Sequence, residues 1–485
     1  MTDTQTLTVD AAVSAAQSAF EAAREVSPAT RRTWLEALAD ALESHADDLV
    51  ALAHDESHLP IGRLTGELTR TAFQLRLLGA DAASGDPFAA TIDHADPGWG
   101  MGPRPDIRRV GEPLGVVGVF GASNFPFAFS VLGGDSASAL AAGCAVVHKA
   151  HPAHPRLARE TARLAVEALR AVGAPSGLFA LVEGYEDGPA LVQHPLVKAV
   201  GFTGSTRGGQ ALAALAADRP EPIPFYGELG STNPVFVTPG AWAARRDAIL
   251  DGFVGSFTLG MGQFCTKPGY LVVPATSRDE LVAGLADASP VPPHEMLSDS
   301  LRTSFERSRD EFASVDGVEP LTTLPGAEGA PEATVFRAPA ERVLSAPELL
   351  EHEMFGPASV IVEYDSPEQL EAIAASIGGQ LTAGVHAEDG EDTAALLRTL
   401  AGHAGRVLWN GWPTGVTVSY AQQHGGPFPA TTAPATTSVG TAAIGRFLRP
   451  VAYQDVPDAA LPPALQESNP WGIARRVDGA LQPAR

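Results

Sequence analysis

Leu114-Gly115-Val116-Val117-Gly118-Val119-Phe120-Gly121-Ala122-Ser123-Asn124-Phe125-Pro126-Phe127-Ala128-Phe129-Ser130-Val131-Leu132-Gly133-Gly134 holds no charged side chain and is long enough to cross a bilayer as one helix. Its glycines, Asn124 and Pro126 argue otherwise, because they punctuate the run as a strand (Val116 to Phe120), a turn and a helix start. Short apolar runs follow at Ala145 to His148, Leu178 to Val182, Ala199 to Phe202 and Phe225 to Leu229, with helical stretches between them. Strands alternating with helices are the sequence form of a parallel sheet with helical crossovers. The expected fold class is therefore α/β.

Upstream, Val9 to Ala83 carries apolar residues at helical spacing (Trp34, Leu35, Leu38, Leu42, Leu49), with Ser27-Pro28 as a start signal. Between Gly85 and Arg104 the chain is rich in Gly, Pro and Asp, and Ile107 to Leu114 reads as a short strand or hairpin arm. Downstream of Asn233-Pro234 a second alternating section runs to about Phe428, with a helix near Arg245 to Phe257 and strands near Tyr270 to Val273 and Ser359 to Tyr364. Beyond Gly440 only Phe447 to Tyr453 resembles a strand. This divides the chain into one α/β unit (1–97 with 116–234), a second (235–440), and a small β-extension (98–115 with 441–485).

A chain of 485 residues exceeds one ordinary core, and 45% hydrophobic with 19% charged residues suits a folded enzyme-sized protein. The net charge of -24 argues against a nucleic-acid groove, which needs a concentrated basic face. Two distant cysteines, Cys144 and Cys265, offer no disulfide framework and fit a reducing cytoplasm. The polar start Met1-Thr2-Asp3-Thr4 lacks the basic and apolar regions of an export signal.

Cys265 lies in the Gly-flanked stretch Gly260-Met261-Gly262-Gln263-Phe264-Cys265-Thr266, where a reachable, partly desolvated thiolate would act as a nucleophile. Taken alone, the same pattern fits a buried structural cysteine, the reading that suits Cys144 better. Glu228 closes the run from Phe225, at the strand end where ligands gather in open α/β sheets. A carboxylate dried out there would have a raised pKa and serve as a general base, although an exposed loop acid fits as well. The turn Gly201-Phe202-Thr203-Gly204-Ser205-Thr206-Arg207-Gly208-Gly209 suits a pyrophosphate at a helix N-terminus or a plain tight turn, since it lacks the G-x-G-x-x-G spacing. His148, His151 and His154 are regularly spaced, but Pro152 and Pro155 break any helix that would present them together, so no metal site is expected.

Seven motifs, in order, coincide with one family: Ser123-Asn124-Phe125-Pro126, Val147-His148-Lys149, Gly201 to Ser205, Glu228-Leu229-Gly230, Gly262 to Thr266, Glu353-Met354-Phe355-Gly356-Pro357 and Asn410-Gly411-Trp412-Pro413-Thr414-Gly415-Val416. Over nearly its whole length the chain resembles the aldehyde dehydrogenase superfamily. The resemblance implies a Rossmann-type cofactor domain, an α/β catalytic domain and a small β-extension for oligomerisation, as a homodimer or homotetramer. It makes Cys265 the nucleophile, Glu228 the general base, and the Asn124 amide an oxyanion donor beside the Cys265 N–H. Lys149 is then placed at the adenosine ribose, Gly204, Ser205 and Gly209 with Leu229 around the pyrophosphate turn, and Glu353 with Phe355 at the nicotinamide end.

NAD-preferring members often keep an acid three residues after the lysine, where this chain has Pro152. Its absence removes repulsion against a 2′-phosphate, so NADP is slightly favoured over NAD, with His151 and Arg207 as candidate phosphate partners, although a solvated surface role fits each as well. Phe120 to Pro126, Lys149 to Pro155 and Gln423-His424-Gly425-Gly426-Pro427-Phe428-Pro429 resemble the branch that oxidises 2,5-dioxopentanoate (α-ketoglutarate semialdehyde) and related NADP-linked enzymes of fatty aldehydes. A dioxo acid needs a cation, for which Lys267 is a candidate; a fatty aldehyde needs an apolar tunnel, for which Phe125, Phe127 and Phe129 are candidates. Retention of Glu228 argues against a CoA-acylating relative, because hydrolysis is what a water-activating base serves.

Overall fold

The uncharged run opens as strand β1 (Val116–Phe120), continues as a loop and enters a helix at Gly134 (Gly134–Ala142) in the computed structural model, which describes residues 7–485. Met1 to Thr4 lie outside the described residues. With β2 (Ala145–Lys149), β3 (Phe179–Val182), β4 (Val197–Thr203) and β5 (Phe225–Glu228), β1 forms a wholly parallel sheet of order β3-β2-β1-β4-β5. The chain starts at the centre, builds to one edge and crosses to the other side. Such a reversal opens a crevice at the C-terminal strand ends. Every residue of β1 is buried, as a strand covered on both faces requires.

Four helices precede this sheet: Val9–Ala23, Pro28–Ser44, Ala46–Ser57 and Ile61–Ser84. Ser27 caps the second, its hydroxyl accepting the Thr30 N–H at 3.2 Å, and Pro28 fills the first turn, where a missing N–H costs nothing. The apolar faces of these helices merge with the sheet into one core. No helix among the described residues is long and apolar enough to cross a membrane.

The second sheet has seven strands: β6 (Val235–Val237), β7 (Tyr270–Pro274), β8 (Glu319–Leu324), β9 (Ala333–Pro339), β10 (Ala358–Tyr364), β11 (Gln380–His386) and β12 (Ala404–Trp409), in the order β8-β9-β10-β7-β6-β11-β12. Only the pairing of β8 with β9 is antiparallel. After β12 the chain runs back over the first sheet, where Glu228 forms a bridge with Thr431 and the Leu229 N–H donates to Ala430 O at 2.8 Å.

In a small sheet, the segments assigned from the sequence to an oligomerisation extension, near Ile107 to Leu114 and Phe447 to Tyr453, pair antiparallel with each other within the chain, as Ile107–Pro113 and Leu448–Gln454. Thr91–Asp93, inside the stretch grouped with the first unit, pairs with the other side of Ile107–Pro113. The open edges are Leu448–Gln454 and Ala480–Gln482. Pairing satisfies the backbone N–H and C=O groups that each strand would otherwise leave open along that side.

Candidate active site

Cys265 follows three residues with positive φ, Gly260 (+56°), Met261 (+58°) and Gly262 (+65°). At Gly262 a Cβ would strike Gly356 O, so this glycine lets the Glu353 to Pro357 segment pass directly against the cysteine loop. Asn233, between the two sheets, fixes the loop from the other side: its Nδ2 donates to Cys265 O at 2.8 Å and to Lys267 O at 3.0 Å. The buried Asn124 donates its amide to Gln263 O at 2.9 Å, two residues from the thiol.

One side of Cys265 opens onto a cavity of about 250 Å³ lined by Arg63, Glu67, Arg70, Phe125, Phe129 and Phe264, among others. Behind the thiol lie Glu228, at the end of β5, and His424, carried in on the segment after β12. The sulfur, a carboxylate oxygen and an imidazole nitrogen fall within 4.8 Å of one another. His424 Nε2 is 2.8 Å from Glu228 Oε1 and 3.7 Å from Cys265 Sγ, and the Ser438 hydroxyl donates to Glu228 Oε2 at 2.7 Å. The same nitrogen therefore faces both partners, unlike a serine-protease triad, where two ring nitrogens divide the work. An N–H on Nε2 holds the carboxylate and also favours a thiolate.

The expectation of a raised pKa at Glu228 is overturned. Burial does push it up, but the charge and hydrogen bond of His424, with the bonds from Ser438 and the thiol, outweigh burial and leave it below the usual carboxylate range. Burial and the neighbouring Glu228 charge push the Cys265 thiol well up instead. Glu228 is thus ionised at neutral pH, and the thiol needs a partner to take or share its proton.

Of the residues assigned to a cofactor from the sequence, Lys149, His151, Gly204, Ser205 and Leu229 lie at or just beyond the C-terminal strand ends of the first sheet. Lys149 ends β2, half-buried, its pKa lowered by burial against the pull of Asp187 and Glu183. Glu183 follows β3; its Oε2 accepts from Arg159 at 2.9 Å and its buried Oε1 has no partner, so a carboxylate stands near Lys149 although position 152 is proline. His151 accepts the Ala153 N–H on Nδ1, which leaves the proton on Nε2, and burial lowers its pKa to about 3. It offers an N–H and no charge. His154 turns away to Ala122 O at 3.2 Å, and His148 Nδ1 meets Ser136 at 3.4 Å.

Gly204 follows β4, and its N–H donates to Glu228 O at 3.1 Å. Ser205 caps the helix Thr206–Ala217 through the Gly208 N–H, and Arg207 is exposed in its first turn. Gly209 packs so tightly that a Cβ would collide with Leu229 Cδ2. Thr206, not singled out in the sequence, accepts the Gly230 N–H at 3.0 Å, and Gly230 also lies against the half-buried Glu353. Phe355 is half-buried. A glycine turn, a helix N-terminus, a lysine and an acid around one strand-end crevice fit a dinucleotide.

Two expectations about the substrate end change. Lys267 is buried with its ammonium donating to Met354 O at 2.8 Å and Ala358 O at 2.6 Å, so it does not face the cavity. Phe127 is in the first core, whereas Phe264 joins Phe125 and Phe129 on the cavity wall. Of the residues that line the site, His424, Arg63 and Arg70 were given no role in the sequence.

The chain belongs to the aldehyde dehydrogenase family, whose model matches residues 1–293. It is an enzyme that oxidises an aldehyde to an acid with a nicotinamide dinucleotide. It is 46% identical over 483 residues to alpha-ketoglutaric semialdehyde dehydrogenase 2 of Azospirillum brasilense, covering 98% of this chain and 92% of that protein. It is 42% identical to alpha-ketoglutaric semialdehyde dehydrogenase of Acinetobacter baylyi, covering 98% and 91%. Among solved structures, proline utilization A of Bradyrhizobium japonicum superposes with a TM-score of 0.78 at 26% identity, covering 92% of this chain. The chain spans 44% of that longer protein.

Proposed function

We propose that the enzyme oxidises 2,5-dioxopentanoate to 2-oxoglutarate with NADP or NAD, through a thiohemiacetal and then a thioester on Cys265. The observation that carries this reading is a thiol with a cavity in front of it and the Glu228–His424 pair behind it. The names of the two curated relatives support the choice of aldehyde. Attack by Cys265 creates an oxyanion, for which the Asn124 amide and the Cys265 N–H are the donors. The bound dinucleotide supplies the hydride acceptor. Glu228 then takes a proton from the water that cleaves the thioester, and His424 holds Glu228 in place and favours the thiolate beforehand.

Lys149 would hold the adenosine ribose, Gly204, Ser205 and Gly209 would leave room for the pyrophosphate against Leu229, and Glu353 and Phe355 would hold the nicotinamide ribose and ring. NADP is favoured over NAD on the strength of Pro152, with Arg207 and the His151 N–H toward the 2′-phosphate. Glu183 works against that preference, so Glu183→Gln raises the ratio of kcat/KM with NADP to that with NAD. The same reading makes the enzyme a cytoplasmic homodimer or homotetramer joined through the open edge of Leu448–Gln454.

A longer aliphatic aldehyde is the second reading, favoured by the Phe125, Phe129 and Phe264 wall. The cavity is smaller than the ~300–1,000 Å³ of sites for drug-sized ligands, which favours the shorter substrate. Steady-state kinetics with 2,5-dioxopentanoate, succinate semialdehyde and octanal, each with NAD and NADP, decide between them. The dioxo acid is expected to give the highest kcat/KM; octanal in first place would replace it with the second reading.

A further inference from the structure

The cavity in front of Cys265 has two unlike walls. Phe125 stands edge-on to Phe129 and Phe264, with centroids 5.3 and 5.2 Å apart, and forms the apolar side. The helix Ile61–Ser84 supplies the other with Arg63, Glu67 and Arg70, whose spacing of four and three residues puts them on one helical face. Elsewhere this helix buries Leu64, Leu68, Leu75 and Leu78, so three ionisable groups on its inner side need an explanation.

Their hydrogen bonds do not supply one. Arg63 lies over the Phe125 and Phe264 rings at 5.0 and 4.6 Å and donates through Nη2 to Asn124 O, while its Nη1 is buried with no partner. Arg70 lies over Phe129 at 5.4 Å and reaches only Val416 O, at 3.4 Å, and its Nη1 is likewise buried and unpartnered. Glu67 would be the natural counter-charge, but its Oε1 is taken by the Phe127 and Ala128 N–H groups at 2.8 and 2.9 Å. Two guanidinium groups face one carboxylate committed to the backbone. The wall therefore presents a surplus positive charge to the cavity, while the two Nη1 atoms are sealed behind it.

We propose that Arg63 and Arg70 together bind the distal carboxylate of the substrate, making the pocket selective for short aldehydes that end in an acid. A carboxylate accepts from two guanidinium groups in charge-assisted bonds and cancels the surplus charge. The phenylalanines pack against the carbon chain between that carboxylate and the carbonyl presented to Cys265. The inference rests on the substrate reading above and replaces Lys267, whose ammonium is already spent on carbonyls.

The test measures kcat/KM with 2,5-dioxopentanoate and with pentanal, a neutral aldehyde of the same chain length, for the wild type, Arg63→Met, Arg70→Met and Arg70→Lys. The acid-to-pentanal ratio is expected to fall about 10- to 150-fold in each Met variant, the worth of a hydrogen bond between charged groups, mainly through KM for the acid. Arg70→Lys should recover part of it. Equal losses on both aldehydes would reduce the arginines to structural supports and overturn the proposal. A wild type that prefers the acid while the variants keep that preference removes the clamp alone; a wild type indifferent to the acid removes clamp and substrate reading together. If a Met variant does not fold, the wild type decides: glutarate is expected to compete with the aldehyde and glutaramide not to, and equal inhibition by both would overturn the clamp.

Discussion

The two cysteines of this chain sit in surroundings that share one property and differ in every other. Cys144, just ahead of β2, is fully buried, its thiol directed at Phe447 O, and burial pushes it up to about 11. Cys265 is raised as well, by burial and by Glu228. Resting acidity therefore does not distinguish Cys265, the proposed nucleophile, from Cys144. What separates them is a cavity on one side and a carboxylate with an imidazole on the other, because a thiol reacts only where substrate reaches it and a neighbour accepts or shares its proton.

The sharpest way to break this contrast is to remove each sulfur. Cys265→Ala is expected to lower kcat/KM by at least about four orders of magnitude, whereas Cys144→Ala keeps turnover and shows only a lowered melting temperature. Next in size, Glu228→Gln should cut steady-state kcat by about 10²- to 10⁴-fold while a stopped-flow burst of reduced dinucleotide remains, since hydrolysis and not hydride loss needs the base. His424→Ala should cost about 10- to 150-fold in kcat/KM and slow iodoacetamide alkylation of Cys265 at neutral pH, with alkylation of Cys144 in the unfolded protein as the reference.

The smallest effect concerns pH. Burial raises the Glu353 carboxyl above its usual range and lowers Lys267, against their mutual attraction. In the proposed role, a ribose hydroxyl would be held by the ionised form of Glu353. Cofactor affinity should therefore weaken a few-fold as pH falls through that raised pKa and recover above it, as read by fluorescence titration. Glu353→Gln should bind more weakly and show no such slope.

Much of this was legible in the chain before its fold. β1 was read to its end residues because glycines and a proline cut an uncharged run into pieces of strand length. Cys265 and Glu228 were legible because each sits in a short motif whose own backbone, a left-handed turn or a strand end, presents the side chain. His424 was not: it lies 196 residues from Glu228, and nothing local in Gln423 to Pro429 says that the segment after β12 returns to β5. The lowered pKa of Glu228 was missed for the same reason, since its cause is that distant ring. Arg63 and Arg70 were hidden differently. A charge on an amphipathic helix reads as solvated, and periodicity does not tell water from a cavity. Lys267 misled by proximity, because two residues along the chain from Cys265 its side chain already runs the other way, to Met354 and Ala358.

The most direct test is peptide mass spectrometry of the Glu228→Gln enzyme quenched in acid after one turnover with 2,5-dioxopentanoate and NADP. One acyl group is predicted on the peptide containing Cys265 and none on the peptide containing Cys144. Reduced dinucleotide formed with no acyl group on Cys265, or with the label on Cys144, would contradict the account.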